Sequence, residues 1–434
     1  MPNIVSYSPE TKVLAKTQHG EQYDLTPWLD SWITSKSLTT PTGTFQIGLD
    51  AGGPLGSTWA DKLLPMDYIE IQAGYGGALV PIMRGFIDQP YRIRQFSQVG
   101  GPSEPMVMLQ GYDYGILASR NIQVVYLWQL NSPEGLKAAE AMAFPQYAFQ
   151  LNYGIDLGKV FSMPGIFRAI DKNIVQSYMQ GLAPHYAGGV PNFAYEVHYS
   201  SSLQLQFAQV ATYTGALYNL WQFFAGPPFG ELFVCDTPDA PTVVARIAPY
   251  KNLSGDLIKP GATPFLPTIT LHDDSEIQGD QIGRSGTDVK TFFFTWGDMS
   301  QVQLQSQGIF AGQKRNPILA PKLASIFGIQ PYSVDTPLVN PFDSFKLSGQ
   351  NKNAIQEANT LNEWLYETMK GNARYQGGAI TAQGRPDFII GRYVQVPEWQ
   401  QEFYIAGVQH SFQAKGAPSP SWQSQLTVAR GISI

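Results

Sequence analysis

Short runs of apolar and β-branched residues, each cut off by glycine or proline, dominate both ends of this 434-residue chain. From Val5 to about Tyr114 they include Lys12-Val-Leu-Ala, Thr44-Phe-Gln-Ile-Gly-Leu, Tyr68-Ile-Glu-Ile-Gln, Val80-Pro-Ile-Met-Arg-Gly-Phe-Ile and Pro105-Met-Val-Met-Leu-Gln-Gly-Tyr. Between them lie Asp50-Ala-Gly-Gly-Pro, Ala73-Gly-Tyr-Gly-Gly and Gly100-Gly-Pro-Ser. Such punctuation builds strands and turns, hence a sandwich or barrel. With 42 Gly, 32 Pro, 13% aromatic and only 14% charged residues, against about 25% charged in an average domain, coiled coil, collagen and disorder are excluded. The same composition points to large buried or partner-facing surfaces.

The strand pattern returns from about residue 263: Thr268-Ile-Thr-Leu, Val289-Lys-Thr-Phe-Phe-Phe-Thr-Trp, then proline- and glycine-rich coil to about 345. A helix is expected over Asn353 to Met369, with Ile355, Ala358, Leu361, Leu365 and Met369 as its apolar stripe and Gly371 at the C-cap. After it come strands at Gly378, Tyr393, Phe403 and Gln423. The region 117–225 favours helices. One is expected from Pro133, capped by Ser132, and a longer one carries Leu203, Phe207, Val210, Leu217, Trp221 and Phe224 at helical spacing. Glu231-Leu-Phe-Val-Cys-Asp and Pro241-Thr-Val-Val-Ala-Arg-Ile-Ala pair as a hairpin. The series Tyr68-Ile-Glu-Ile, Ile82-Met-Arg-Gly-Phe-Ile-Asp, Val107-Met-Leu-Gln-Gly echoes Tyr393-Val-Gln-Val, Tyr404-Ile-Ala-Gly-Val-Gln-His, Leu426-Thr-Val-Ala-Arg-Gly. Either two β-meanders simply look alike, or one chain carries two related barrels with helices inserted between them.

Chemistry-bearing motifs are sparse. GxSxG, HExxH, GxxxxGK[ST] and a strand–helix GxGxxG are all missing from the sequence. His19, His185, His198, His272 and His410 form no close pair and read as surface or hydrogen-bonded core residues. Asp273, Asp274 and Glu276 crowd the end of one strand; glycosidase work needs carboxyls on opposing walls of a cleft, so a solvated capping turn is expected. A calcium loop would want alternating Asp/Asn ligands around a central glycine. Cys235, the sole cysteine, sits in an apolar strand, which excludes internal disulfides and suits an inert packed thiol. Gly74, Gly76 and Gly77 read as a hairpin tip, since no Lys-Ser/Thr follows to complete a phosphate cradle. Arg84, Arg92 and Arg94 are expected on a solvated face, and Trp28, Trp32, Trp59 and Trp399 as core or interface anchors. No catalytic, cofactor-binding or metal residue is assigned, and no cofactor is expected. The net charge of −6 opposes tight nucleic-acid binding. The start lacks a secretory signal, and the longest stretch without charged residues, 197–230, carries too many glutamines to span a bilayer.

The closing stretch Gly384-Arg-Pro-Asp-Phe-Ile-Ile-Gly-Arg-Tyr-Val-Gln-Val, followed by Phe403-Tyr-Ile-Ala-Gly-Val-Gln-His-Ser-Phe and Leu426-Thr-Val-Ala-Arg-Gly, resembles the C-terminal signature of phage baseplate hub proteins. The helix before it sits where that family has one. Gly43-Thr-Phe-Gln-Ile-Gly-Leu, Trp59, Asp67-Tyr-Ile-Glu-Ile and Met83-Arg-Gly-Phe-Ile-Asp are similar to the family's first barrel. Pro227-Pro-Phe-Gly-Glu-Leu-Phe-Val-Cys-Asp with Ala245-Arg-Ile-Ala-Pro-Tyr resembles a stretch of hub-like proteins. The resemblance covers about half the chain.

The resemblance implies an α+β, β-rich fold: two related tail-tube-like β-barrels with a helix-containing middle domain. The barrels would occupy 1–117 and 263–434, the middle domain 118–262, with inserted coil and the helix 353–370 in the second barrel. It also implies a non-enzymatic homotrimeric baseplate hub, three chains giving six barrels, that adapts a six-fold tail tube above to a three-fold central spike below. Its partners would be itself, the tube protein, the spike and other baseplate proteins. Genome DNA would pass the lumen unbound, and the hub would not insert in a membrane. It would reside in the virion after assembly in the host cytoplasm. The chain's end directly after the last strand favours a contractile-type hub, with no segment left for a lysozyme or peptidase domain. A tail-associated glycan-cleaving or glycan-binding β-protein is the alternative.

Overall fold

A computed structural model describes residues 8–50, 59–94, 105–127, 161–199, 204–205, 212–258, 266–297, 317–336, 352–415 and 420–434. The helix expected at Pro133 lies outside them. The chain is β-rich α+β, as expected. Its first seven strands are β1 (Pro9–Lys16), β2 (Gln22–Asp24), β3 (Leu29–Ser37), β4 (Thr44–Asp50), β5 (Tyr68–Tyr75), β6 (Ala78–Arg94) and β7 (Pro105–Asp113). Near the other end lie β15 (Ile269–Thr270), β16 (Ile277–Gly283), β20 (Gln376–Gln383), β21 (Tyr393–Val396), β22 (Gln401–Gln413) and β23 (Ser421–Ser433). All thirteen join one sheet, ordered β16-β20-β23-β22-β3-β4-β7-β6-β5-β1-β2, with β21 on β22 and β15 on β21.

The middle of the chain holds β8 (Gln123–Leu127), β9 (Phe161–Ser162), β10 (Ala194–His198), β11 (Gln204–Leu205), β12 (Thr212–Ala216), β13 (Gly230–Asp236) and β14 (Pro241–Ile247). Helices run over Met163–Ile170, Gln176–Leu182 and Leu217–Ala225. Of the long helix expected from Leu203, the described residues are helical only over Leu217–Ala225. Thr212-Tyr-Thr, two β-branched residues around an aromatic, forms a strand instead, paired with Leu127, Tyr126 and Val125. Gly226, at φ +69°, ends the helix.

β17 (Phe292–Gly297) falls on the strand expected from Val289. It forms a small sheet with β18 (Ile318–Leu319) and β19 (Pro331–Thr336), and these two strands, with a helix at Pro321–Phe327, lie where coil was expected up to 345. The helix Lys352–Met369 is present. Leu361 and Leu365 are buried as the periodicity requires, and so is Trp364 on the same face. They pack with Phe229, Ile247 and Phe293.

The β13–β14 hairpin is the centre of the molecule. Its side chains alternate between two cores, as a period of two demands. Leu232, Val234, Val243 and Ala245 join a core with Tyr68, Phe86, Tyr114, Leu217 and Trp221. Phe233, Cys235 and Val244 face the other way, onto Ile380, Ile390, Phe403 and Leu426.

Candidate functional site

The two groups of strands repeat one another element for element. β3-β4-β7-β6-β5 has the same neighbours as β16-β20-β23-β22-β21. The irregularities repeat too. A bulge falls between Leu29 and Ser31 in β3 and between Ile277 and Gly279 in β16. Another falls between Ile87 and Gln89 in β6 and between Ile405 and Gly407 in β22. Beside the second pair, Met66 N–H donates to the Ile87 carbonyl (2.7 Å) and Ile87 N–H to the Asp67 carbonyl (2.9 Å). Gly391 N–H donates to Ile405 (2.8 Å) and Ile405 N–H to Arg392 (2.9 Å) in the same way. Met66 and Gly391 even share a left-handed backbone, φ +70° and +76°.

These equivalences correct the register of the sequence echo. There, Gly85 matched Gly407 and Gly111 matched Gly431. In space Phe86 corresponds to Tyr404, since each faces the tyrosine that opens β5 or β21, and Gly111 corresponds to Val428. The two glycine motifs resemble one another without superposing.

The two lobes are fused through a strand seam. β3 pairs antiparallel with the outer half of β22, from Gly407 opposite Ser37 to Gln413 opposite Ser31. Trp32 stacks on Phe412 across it (ring centroids 5.6 Å, planes 10° apart) and meets Trp422 edge-on. The Trp32 indole N–H donates to Thr11 Oγ1 (2.9 Å).

Behind the seam lies a cavity of about 40 Å³, where Lys36, Asp113, Asp236 and His410 meet apolar side chains such as Met83, Phe388 and Val408. Lys36 pairs with Asp113. Arg84 donates to Asp236 Oδ1 (3.3 Å) and to the carbonyls of Thr237 and Pro238 (2.9 Å each). Burial pushes the Asp236 carboxyl up to about 7 against the pull of Arg84. Burial also pushes the His410 imidazole down to about 4, and its Nδ1 hydrogen-bonds Ser424 Oγ (2.7 Å). On the far side of the hairpin, Arg246 donates to Glu231 (3.2 Å), the Gly391 carbonyl (2.5 Å) and Tyr404 (2.9 Å). One arginine thus clamps the hairpin to each lobe. Buried ion pairs of this kind add little net stability, but removing one partner leaves an uncompensated buried charge.

The sequence-derived candidates divide accordingly. Arg84 is not on a solvated face: it is 5% exposed and belongs to the first clamp. Its partner Asp236 is 152 positions away, beyond any local pattern. Arg92 is surface-exposed and pairs with Asp61. Cys235 is buried, its thiol pushed up to about 12 by desolvation. Gly76 and Gly77, both at positive φ, close the two-residue turn between Tyr75 and Ala78, the hairpin tip expected. Trp32 and Trp59 are core residues.

Of the acidic trio, Asp273 and Glu276 belong to a capping turn. Glu276 accepts from the His272 amide (2.8 Å) and from Arg385 (2.7 Å), and Asp273 accepts from the Trp399 indole (2.9 Å). His272 in turn meets Glu398 (2.9 Å). These carboxylates are engaged in joining loop to loop and do not face one another across a cleft. Sequence reasoning missed β3 and β16, the strands on which the seam and its counterpart depend.

No family model matches the sequence, and no curated protein matches it. Solved structures do. The tail protein from Neisseria meningitidis MC58 is 13% identical, with 98% of this chain and 97% of that chain covered and a TM-score of 0.51. The 43 kDa tail protein of prophage MuSo2 from Shewanella oneidensis is 12% identical, covering 96% and 98%, at a TM-score of 0.46. An Escherichia coli component of the type VI secretion system, 12% identical, covers 94% and 73% at 0.42. With its duplicated lobes and central hairpin, the chain has the fold of the Neisseria tail protein.

Proposed function

We propose that the chain is a non-enzymatic structural hub of a phage tail baseplate, working as a homotrimer between a six-fold tube and a three-fold spike. The observation that carries this reading is the duplication. Two groups of strands of one order, β3-β4-β7-β6-β5 and β16-β20-β23-β22-β21, are joined by the seam and by the hairpin between them, and we take them as the two lobes of the domains 1–117 and 263–434. Three such chains present six near-equivalent lobes on one side while remaining three-fold overall. The fold shared with a tail protein supports the same reading. The partners are then the tube protein on the lobe face and the spike on the opposite side. The net charge of −6 suits a lumen through which DNA passes without meeting a wall of lysine and arginine.

Mass photometry and electron microscopy of the full chain test this. The expected particle has three times the 47.9 kDa chain mass and shows a ring of six similar lobes. A particle that stays a monomer or closes as a dimer at micromolar concentration overturns the proposal.

A further inference from the structure

The seam inside one chain has an unused counterpart. In the repeat, β16 stands where β3 stands, and the outer half of β6 stands where the outer half of β22 stands. β3 and β22 are paired; β16 and the outer half of β6 are not. β16 ends the sheet with β20 alone beside it, and Gln278, Gly279, Asp280 and Gln281 are exposed. Residues 89–94 of β6 pair with β7 on one side only; β5 leaves β6 after Phe86. Among the described residues no strand covers either edge.

We infer that β16 of one copy adds to the outer half of β6 of a second copy, antiparallel, in the register of the internal seam. This rests on the trimeric hub reading and names the contact that builds the ring. His410 faces Thr34 in the seam; their counterparts Arg92 and Ile282 then face one another. Tyr91 then meets Gly283, and Ile93 meets Gln281.

The outward row of backbone groups is also given by the seam. Leu38 N–H donates to the Ala406 carbonyl (2.9 Å), and Ala414 N–H to the Asp30 carbonyl (2.8 Å), so the even residues of β22 point toward β3. Their β6 counterparts are Pro90, Arg92 and Arg94. Pro90 lacks the N–H that Val408 carries, so the joint has one hydrogen bond fewer than the seam. The same proline stops the free edge from accepting arbitrary strands. Each copy offers one β16 and one β6 edge, a head-to-tail contact that can close as a ring.

The test is a disulfide between chains. Ile93 and Gln281 would form a non-hydrogen-bonded pair, whose Cα atoms lie about 4.5 Å apart, within disulfide reach. The full chain carrying Ile93→Cys and Gln281→Cys is oxidised mildly; native Cys235 is buried and silent. A covalent ladder ending at the trimer is expected, at least tenfold stronger than in either single variant or in Ile93→Cys with Asp280→Cys, whose side chains would face opposite ways. A trimer by mass with no cross-link above those controls overturns this joint and leaves the hub reading standing. A monomer by mass with no cross-link overturns both. Hydrogen exchange on the unsubstituted protein reads the joint without any cysteine. Slow amide exchange at 280 and 282, lost on dilution to monomer, is expected; equally fast exchange in trimer and monomer overturns it.

Discussion

His410 and Asp236 line the same small cavity, and their proton affinities move in opposite directions. His410 stays neutral down to about pH 4, whereas an unfolded histidine takes up its proton near 6.5. The depressed value means that the native state binds fewer protons than the unfolded state between those limits. Its contribution to stability is complete above about pH 6.5 and is lost as pH falls toward 4, an effect of about 3 kcal/mol over the window. Asp236, raised to about 7, does the reverse: its ionisation costs stability as pH rises through the same range. The two slopes oppose one another in the parent protein, so the contribution of either shows only as a difference. Replacing His410 by asparagine keeps a polar partner for Ser424 and removes the titration. Urea denaturation at several pH values should show the parent losing up to about 3 kcal/mol more than the variant between pH 6.5 and 4; parallel curves would count against this assignment. None of this coupling was legible in the sequence. A lone histidine near a C-terminal strand carries no sign of an aspartate 174 positions earlier, and Arg84 reads as a surface residue until the hairpin that covers it is in place.

At the scale of the element, the seam strand explains why part of the fold escaped pattern reading. A half-buried strand announces itself by alternation. β3 buries Leu29, Trp32 and Thr34, so its first two buried positions are three apart. The bulge at Asp30 inserts one residue and shifts the parity of everything before it. β16 carries the same bulge at Gln278 and is mostly exposed besides, so it shows no period of either kind. β7 and the first part of β23, which alternate cleanly, were readable, and so were β4 and β5 from their apolar runs. So was the helix Lys352–Met369, whose stripe extends over several turns. The segment at 212–216 misled because Leu203, Phe207 and Val210 continue the spacing of a helix that begins only at Leu217. The weight of β3 can be measured at Trp32, which touches Phe412, Trp422 and Thr11 at once. Trp32→Ala should cost about 3–5 kcal/mol in chemical denaturation, while Ile33→Ala on the exposed side of the same strand should stay within about 1 kcal/mol. Equal, small losses at both positions would mean that the seam contributes little to holding the lobes.

For the whole molecule, the question is whether the two lobes act as one body. A chain of two strand lobes joined only by an edge would unfold in two steps. Here the β13–β14 hairpin adds a second connection, since adjacent residues of one strand serve different cores: Phe233 packs with the C-terminal lobe and Val234 with the core that includes Tyr68 and Phe86. Neither core can be completed without the hairpin, and the Arg84 and Arg246 clamps are satisfied only when both lobes are docked. Rigid spacing of the lobes is what a subunit must supply if copies of it are to present an evenly spaced ring, so cooperativity and the proposed role make the same demand on the structure. The expected behaviour is one thermal transition, with far-ultraviolet circular dichroism and tryptophan fluorescence coincident. Phe233→Ala is the sharper test. It empties a fully buried site beside Gly391 and should cost about 3–5 kcal/mol. Because the hairpin is shared, that loss should lower the midpoint seen by both probes together. If only one probe shifts, and a second transition separates from the first, the lobes are independent units and the hairpin is a tether rather than a wedge.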